Sequence, residues 1–149
     1  MECQRGVVGD LATFPALAAV VEESGMIDAA AAVVRAARSA SVPVVHALAV
    51  FRPDRLGSFT NAPLLAHAAR IPGQLEEGSD AALLIPELGP EASDIESSRR
   101  HGVSPFTGTD LDAILRSRGV RTIVAVGVSV NEGIVGLCSE AVNVGDSVA

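Results

Sequence analysis

Aromatic residues and cysteines are scarce in this sequence. Phenylalanine, tryptophan and tyrosine together make up 3% of the 149 residues, and the two cysteines are Cys3 and Cys138. Two cysteines so far apart fit no metal-binding spacing, so we expect a cytoplasmic protein with reduced thiols. The first residues also lack a basic segment followed by an apolar one, so we expect no secretory signal.

Basic residues are also few. The sequence has 11 lysines and arginines against 18 aspartates and glutamates, which gives a formal net charge of -7. A nucleic-acid-binding surface needs a basic face, so nucleic acid is not expected as a partner. No apolar run is long enough to cross a bilayer, so a membrane partner is not expected either. What remains is a chain of 48% hydrophobic residues, which suits a single globular domain over residues 1–149.

The longest apolar run covers residues 121–130 and predicts a strand buried on both faces, as in the middle of a parallel sheet. Asn131 is a good N-cap residue, and apolar residues at helical spacing follow it. The turn from Gly127 to Gly133 should therefore lie at the carboxyl end of a central strand. Open α/β sheets bind ligands in that crevice, and amides at a helix start can hold negative charge. The alternative is a buried strand-turn-helix without chemistry.

Other strands and helices alternate along the chain. A second apolar run, residues 42–50, predicts another buried strand, and an apolar stripe predicts a helix over Met26–Ser39. Weaker patterns predict two more helices and two short strands: residues 61–70 and 109–119, and residues 93–97 and 146–149. This order predicts an α/β fold with a parallel sheet and right-handed crossovers. We expect the strands at 42–50 and 122–130 to be neighbours or near neighbours, with helices on both faces.

Three further segments could bring polar side chains to the crevice. They are Glu2 with its neighbours, the stretch from Arg99 to Thr109, and the loop at residues 51–59. The loop contains two arginines and an aspartate directly after a predicted strand. It either borders the crevice or is an ordinary solvated loop, and the sequence favours neither.

Together these segments resemble the isochorismatase-like superfamily of cysteine hydrolases. Glu2-Cys-Gln resembles that family's Asp-Met-Gln, and Arg100, four residues before Ser104-Pro-Phe, resembles the lysine ahead of its Ser-Ala-Phe. The turn from Gly127 to Gly133 matches the turn that usually ends in the nucleophilic cysteine. The resemblance implies a three-layer α-β-α Rossmann-like fold with a parallel sheet, often dimeric or tetrameric, that hydrolyses C–N or related bonds.

All three catalytic positions of that family carry a different residue here. The Asp-Lys-Cys triad is replaced by Glu2, Arg100 and Gly133. Glycine has no side chain, so acyl transfer through a thiolate at this position is excluded. Arginine keeps its charge, so Arg100 can stabilise negative charge but is a poor proton shuttle. We interpret Cys3, at the family's methionine position, and Cys138, beyond the turn, as core cysteines.

The family's isochorismatases also have glycine at the cysteine position. They cleave a vinyl ether, with a carboxylate as the acid and water as the nucleophile. By this resemblance Glu2 is the candidate acid, provided that burial raises its pKa, which a nearby Arg100 would oppose. We therefore predict that Glu2 and Arg100 are catalytic. The turn is predicted to bind the substrate or an oxyanion through four residues: Ser129, Val130, Asn131 and Gly133.

Neither a metal nor a cofactor is expected. The family's nicotinamidases carry an Asp-x-His metal site, and this chain has no such spacing, with its three histidines scattered. Two hypotheses stay open. The chain is either a cysteine-independent hydrolase of a small molecule, or a non-catalytic member that binds a small molecule or serves as a subunit.

The extent of the fold is a further expectation from the resemblance. The family's first strand lies immediately before the acid, whereas here only Met1 precedes Glu2, and the family continues past Ala149. We therefore expect a fold without the first strand and without its C-terminal end. Exposed sheet edges and apolar surface would then favour a homo-oligomer, a dimer or a tetramer.

Overall fold

Helices and short strands alternate in the computed structural model, which describes every residue from 1 to 149. The five α-helices are α1 (Pro15–Ser24), α2 (Met26–Ser39), α3 (Pro63–Ala68), α4 (Leu111–Ser117) and α5 (Val135–Asn143). The four strands are β1 (Val45–Ala49), β2 (Ile95–Arg99), β3 (Thr122–Ile123) and β4 (Ser147–Val148). No helix combines the length and the apolar character needed to cross a membrane.

The predicted helix over Met26–Ser39 is confirmed with the same bounds. Gly25 separates it from α1, with a φ of 65° that suits glycine. Near its C-terminal end the guanidinium of Arg38 donates to Asp94 Oδ1 at 3.1 Å. His46 Nε2 lies 3.0 Å from Asp94 Oδ2. These contacts tie α2 to β1 and to the start of β2, so one face of the sheet is fixed to this helix.

The strands form two parallel pairs with the first residues of the chain between them. β1 pairs with β2, and β3 pairs with β4. The amino group of Met1 donates to Val126 O at 2.6 Å, and the Glu2 N–H donates to Ala47 O at 2.9 Å. The predicted strands at 42–50 and 122–130 are therefore near neighbours, separated by these two residues. The predicted α/β fold with parallel strands is confirmed.

Two predicted boundaries around the apolar run at residues 121–130 were wrong. Only Thr122–Ile123 forms a strand, because Val124 makes no backbone hydrogen bond and so belongs to no ladder. Asn131 does not cap the following helix. A π-helical turn, Val130–Ile134, comes first, in which Ser129 O accepts the Ile134 N–H at 3.0 Å, and α5 begins at Val135.

The apolar side chains form two separate clusters. The larger one has 12 buried residues and lies around the N-terminal segment, α1 and α2. The smaller one has five buried residues and lies between α4 and α5. Met1 packs against the smaller cluster and Cys3 belongs to the larger. The first three residues of the chain therefore lie where the two clusters meet.

Candidate functional site

Glu2 is held at the carboxyl ends of the central strands by the residues around it. Its backbone has a φ of 52°, and its N–H is bound to β1. Gln4, which is 0% exposed, bonds to Ala49 in both directions: its Nε2 donates to Ala49 O, and its Oε1 accepts from the Ala49 N–H, each at 2.9 Å. The same Nε2 donates to Ala82 O at 2.8 Å. This buried amide replaces a missing backbone partner at the edge of β1, so Glu2 has little freedom to move.

The cation beside Glu2 is Arg99, and the prediction that Arg100 occupies this place was wrong. Arg99 Nη2 donates to Glu2 Oε1, and the side chains of Arg99 and Glu2 are 6% and 16% exposed. Arg100 points to the opposite side, where its Nη2 lies 3.4 Å from Glu77 Oε1 and half of its side chain is exposed. The sequence contains no lysine, so an arginine is the only long cation that could stand here.

The alternation of β2 explains why Arg99 faces the site. The strand extends to Arg99, and Ser97 and Arg99 are buried while Glu96 and Ser98 are exposed. Side chains on a strand alternate between the two faces, so Arg100 must point away from Glu2. The sequence Ile95-Glu-Ser-Ser-Arg99 does not show this alternation, because the buried residues Ser97 and Arg99 are polar. The strand was therefore predicted to end at residue 97, and the family's lysine was matched to Arg100 by its distance from Ser104.

The surroundings of this pair favour the protonated form of the Glu2 carboxyl group. Burial raises the pKa of Glu2 above its ordinary value, and the opposing attraction of Arg99 and of the Met1 ammonium is smaller. The carboxylate of Glu132 adds to the increase. Arg99 Nη1 is buried and has no hydrogen-bond partner in the protein. A buried donor of this kind can bind an anionic or carbonyl oxygen of a ligand.

Gly133 lies beside Met1 within the turn that follows the central strand. It is buried, whereas Val130 is 71% exposed and Asn131 and Glu132 are also exposed. A Cβ atom added at Gly133 would lie 2.6 Å from Met1 Cε and 3.3 Å from Val128 O. The Met1 methyl group therefore occupies the space into which a side chain at position 133 would extend. Of the four predicted turn residues, the structure brings Gly133 to the N-terminal segment and leaves Val130 and Asn131 facing outwards.

The loop at residues 51–59 reaches the segment that follows Arg99. Ser58 Oγ donates to Arg100 O at 2.8 Å, and the ring of Phe59 lies 4.9 Å from that of His101. At its base, Arg55 Nη2 donates to Gln74 O at 3.0 Å. Of the two open possibilities for this loop, the contacts support the one in which it borders the carboxyl ends of the strands.

Glu140 is a site-supporting residue that the sequence did not indicate. Its carboxylate accepts from the hydroxyl groups of Ser104 and Thr107. These bonds join the Ser-Pro-Phe-Thr segment to α5, the helix that begins two residues after Gly133. One helical turn separates Glu140 from Gly136, whose missing side chain leaves room for Ser104: a Cβ added there would lie 3.2 Å from Ser104 Cβ.

The thiols and the metal-binding residue types are not arranged as a reactive centre. Cys3 is 4% exposed, and burial raises the pKa of its thiol, which keeps it protonated and unreactive. Cys138 is partly buried against the cluster between α4 and α5. No three histidine, cysteine, aspartate or glutamate side chains come together in a way that could hold a metal ion.

Comparison with known proteins identifies the family and the fold. Residues 1–148 match the isochorismatase domain family. An uncharacterised isochorismatase family protein of Bacillus subtilis, YwoC, is 38% identical over 73 residues, which are 49% of this chain and 38% of that protein. The match therefore spans well under half of the length of this relative.

Solved structures share the fold over nearly the whole chain. N-carbamoylsarcosine amidase from Thermoplasma acidophilum is 24% identical with a TM-score of 0.75, over 99% of this chain and 75% of the amidase. An isochorismatase family protein from Desulfovibrio vulgaris is 21% identical with a TM-score of 0.81, over 99% of this chain and 74% of that protein. At these identities the likeness concerns the fold. Together with the match over residues 1–148, it means that the chain belongs to the isochorismatase family.

Proposed function

We propose that this protein hydrolyses a small molecule without a cysteine nucleophile, with Glu2 as the acid and base and water as the attacking group. The observation that carries the proposal is the buried Glu2–Arg99 pair at the carboxyl ends of the strands. By the resemblance, Gly133 stands at the position of the family's nucleophile. Membership of a family that includes an amidase and proteins named hydrolases supports hydrolysis as the type of reaction.

Burial gives Glu2 the property that such a reaction needs. A carboxyl group with a raised pKa keeps its proton closer to neutral pH and can donate it to a leaving group or to a vinyl ether carbon. For a vinyl ether, water then adds to the carbon of the oxocarbenium ion and returns a proton to Glu2, and the resulting hemiketal breaks its ether C–O bond to release an alcohol and a carbonyl product. For an amide, water adds to the carbonyl carbon, Glu2 donates its proton to the leaving nitrogen and regains one from the added water, and the C–N bond breaks. Each route consumes one water molecule and regenerates the enzyme. In the amide route, Arg99 Nη1, which has no partner in the protein, is the candidate donor to the oxygen on which negative charge develops.

The test is turnover of vinyl ethers and amides by the purified protein and by Glu2→Gln. This substitution keeps the size and hydrogen bonding of the side chain but removes the proton chemistry. General acid–base catalysis contributes about a hundredfold to ten-thousandfold, so kcat should fall by that order. Glu23→Gln is the matched control, because Glu23 is exposed on α1, and it should leave kcat unchanged. Equal rates for the protein and Glu2→Gln would rule out the proposed role of Glu2.

A second candidate function is a non-catalytic, small-molecule-binding or structural subunit. The observation that favours it is the Met1 methyl group, which fills the space beside Gly133 where a substrate would approach. In this case Arg99 would bind a small carboxylate without turning it over. Calorimetric titration that shows saturable binding of a substrate analogue, with no product formed over hours, would favour this candidate.

We also propose that the protein forms a homo-oligomer, as its relatives often do by resemblance. Large apolar side chains are exposed on several elements, among them Val20 at 61%, Val135 at 53% and Val142 at 60%. Val135 and Val142 lie two turns apart on α5 and so share one face of that helix, and an exposed apolar helix face is often covered by association. Light scattering at micromolar concentration should give at least twice the mass of 15.2 kDa. A clean monomer would contradict the proposal.

A further inference from the structure

Phe59, in the loop at residues 51–59, is the one phenylalanine that the fold leaves largely exposed. It is 53% exposed, whereas Phe51 and Phe106 are 6% and 7% exposed and Phe14 is partly buried. The chain has neither tryptophan nor tyrosine. This loop borders the carboxyl ends of the strands, and ligand sites are lined mainly by apolar and aromatic side chains. Phe59 therefore offers an aromatic surface beside the candidate site.

His101 supports the Phe59 ring on one side. The two rings lie 4.9 Å apart, with an angle of 34° between their planes, a distance typical of aromatic contacts. His101 in turn lies directly against the backbone of Gly108, where an added Cβ would be 2.5 Å from His101 Nε2. One face of the Phe59 ring is thus covered and the rest of the ring is open. We call Phe59 and His101 together the aromatic platform.

The aromatic platform is tied to the strand that carries the cation of the site. Ser58 Oγ donates to Arg100 O at 2.8 Å, so the loop is bonded to the residue between Arg99 and His101. Two residues of chain span at most about 7 Å, so the backbone of His101 lies within that distance of Arg99. Arg99 donates to Glu2. A small molecule held by Arg99 can therefore reach the platform.

We propose that the substrate carries an aromatic ring next to its amide or vinyl ether group, and that this ring stacks on the open face of Phe59. The choice of ligand rests on the proposed hydrolase function. An oxygen atom of the same molecule accepts from Arg99 Nη1, which has no partner in the protein. An aromatic ring gains stacking energy on Phe59 beyond the burial of its surface, and an aliphatic group of equal size does not. Phe59 is thus a specificity-determining residue that does not take part in the chemistry.

The test is the fluorescence anisotropy of naphthylacetamide titrated with the 149-residue protein. Because the chain has neither tryptophan nor tyrosine, the naphthyl group is the dominant fluorophore. We expect saturable binding. Phenylacetamide and cyclohexylacetamide then compete for the site with rings of the same carbon number, and the aromatic one should bind about threefold to tenfold more tightly. Equal competition by the two amides, or no saturable binding of naphthylacetamide, would overturn the proposal.

Variants of Phe59 locate the binding. Phe59→Leu should weaken naphthylacetamide binding about threefold to tenfold, and Phe59→Tyr, which keeps the ring, should bind as the unmodified protein does. Val142→Ala is the control, because Val142 is 60% exposed near the end of α5 that is far from Gly133, and it should leave binding unchanged. Anisotropy does not depend on turnover, so an unchanged kcat in Glu2→Gln would refute the proposed function without touching this result. Unchanged binding by Phe59→Leu would refute the aromatic subsite alone.

A pair of glycine variants tests the support that His101 gives. Gly108 and Gly119 have φ values of 76° and 65°, so alanine is strained at both positions. An added Cβ meets His101 at Gly108 but meets nothing within 4 Å at Gly119. Gly108→Ala should therefore weaken naphthylacetamide binding and Gly119→Ala should not, with circular dichroism to establish that both are folded. Equal binding by the two variants would contradict the role of His101. If Phe59→Leu lowers the mass in light scattering and leaves amide binding intact, a second copy covers Phe59 and the proposal fails.

Discussion

The two ends of the central gap between β1 and residues 122–128 differ in one respect, namely whether a chain segment lies between the edges. At the carboxyl end, Met1 and Glu2 fill the gap, Val128 is 5% exposed and Ala49 is 2% exposed. At the other end nothing lies between, and Val124 and Val42 are 63% and 54% exposed. The same kind of apolar strand is thus buried and hydrogen-bonded at one end and open at the other. Burial of these residues depends on a third backbone and not on their own hydrophobicity.

The largest effect is expected from removal of Arg99, the cation at the end of the gap that Met1 and Glu2 fill. At a pH above the raised pKa of Glu2, Arg99→Gln leaves the Glu2 carboxylate buried without a counter-ion, and loss of one partner of a buried pair typically costs about 3–5 kcal/mol. The neighbouring Arg100 has its side chain half exposed, so Arg100→Gln should cost at most about 1 kcal/mol. Urea denaturation of the two variants measures the difference. Equal losses of stability would show that the Glu2–Arg99 contact does not hold the filled end together.

The backbone contacts of Met1 should be harder to disturb than those of its side chain. A Cβ at Gly127, where φ is 126°, would lie 2.0 Å from Met1 O, and the backbone on both sides is fixed by hydrogen bonds. Gly127→Ala should therefore cost about 3 kcal/mol, from overpacking and strain together. At Gly133 the obstacle is the mobile end of the Met1 side chain, so Gly133→Ala should cost about 1 kcal/mol. Thermal unfolding of both variants tests this order.

The sequence predicted most of the fold because apolar periodicity and helix signals are local. Helix α2 was predicted to the residue, and the alternation of strands and helices gave the fold class. It could not predict that Val124 would lack a backbone hydrogen-bond partner, since strand pairing depends on what lies alongside. Gln4 was similarly invisible as a buried bridge between Ala49 and Ala82, because its partners are backbone groups at least 45 residues away.

The site was predicted less well because an error of one position along a strand reverses the face on which a side chain is expected. Glu2 was identified by resemblance, and its raised pKa agrees with the role proposed for it. Its partner was placed one position too far along, at Arg100 instead of Arg99, since a one-residue shift moves a side chain to the opposite face. The catalytic roles of Glu2 and of its cationic partner stay predictions until turnover is measured.

A smaller effect should appear in the pH dependence of stability. Burial raises the pKa of Glu2 in the folded protein, so the native state holds this proton more tightly than the unfolded chain. Stability is then fully present below the ordinary glutamate pKa and decreases as the pH rises towards the higher value of the folded state, by at most about 1.4 kcal/mol per pH unit. Urea denaturation between pH 4 and 8 should show this decrease in the protein and its absence in Glu2→Gln. A difference that grows in the opposite direction would mean that Arg99 outweighs burial.

The smallest expected effect concerns the thiols, one in each apolar cluster. Cys3 belongs to the cluster near Glu2, and Cys138 packs against the cluster between α4 and α5. Neither occupies the position of Gly133, and burial raises the pKa of Cys3, so neither can supply a thiolate to a substrate. Treatment with iodoacetamide, and the double variant Cys3→Ala with Cys138→Ala, should leave kcat for any hydrolysed substrate within a few-fold. Each truncation deletes one small sulfur, so folding should tolerate it. Water attack assisted by Glu2 requires that Glu2→Gln lose turnover and that alkylation leave it intact. If alkylation abolished turnover while Glu2→Gln remained active, a thiol and not the Glu2 carboxyl group would be the catalytic group.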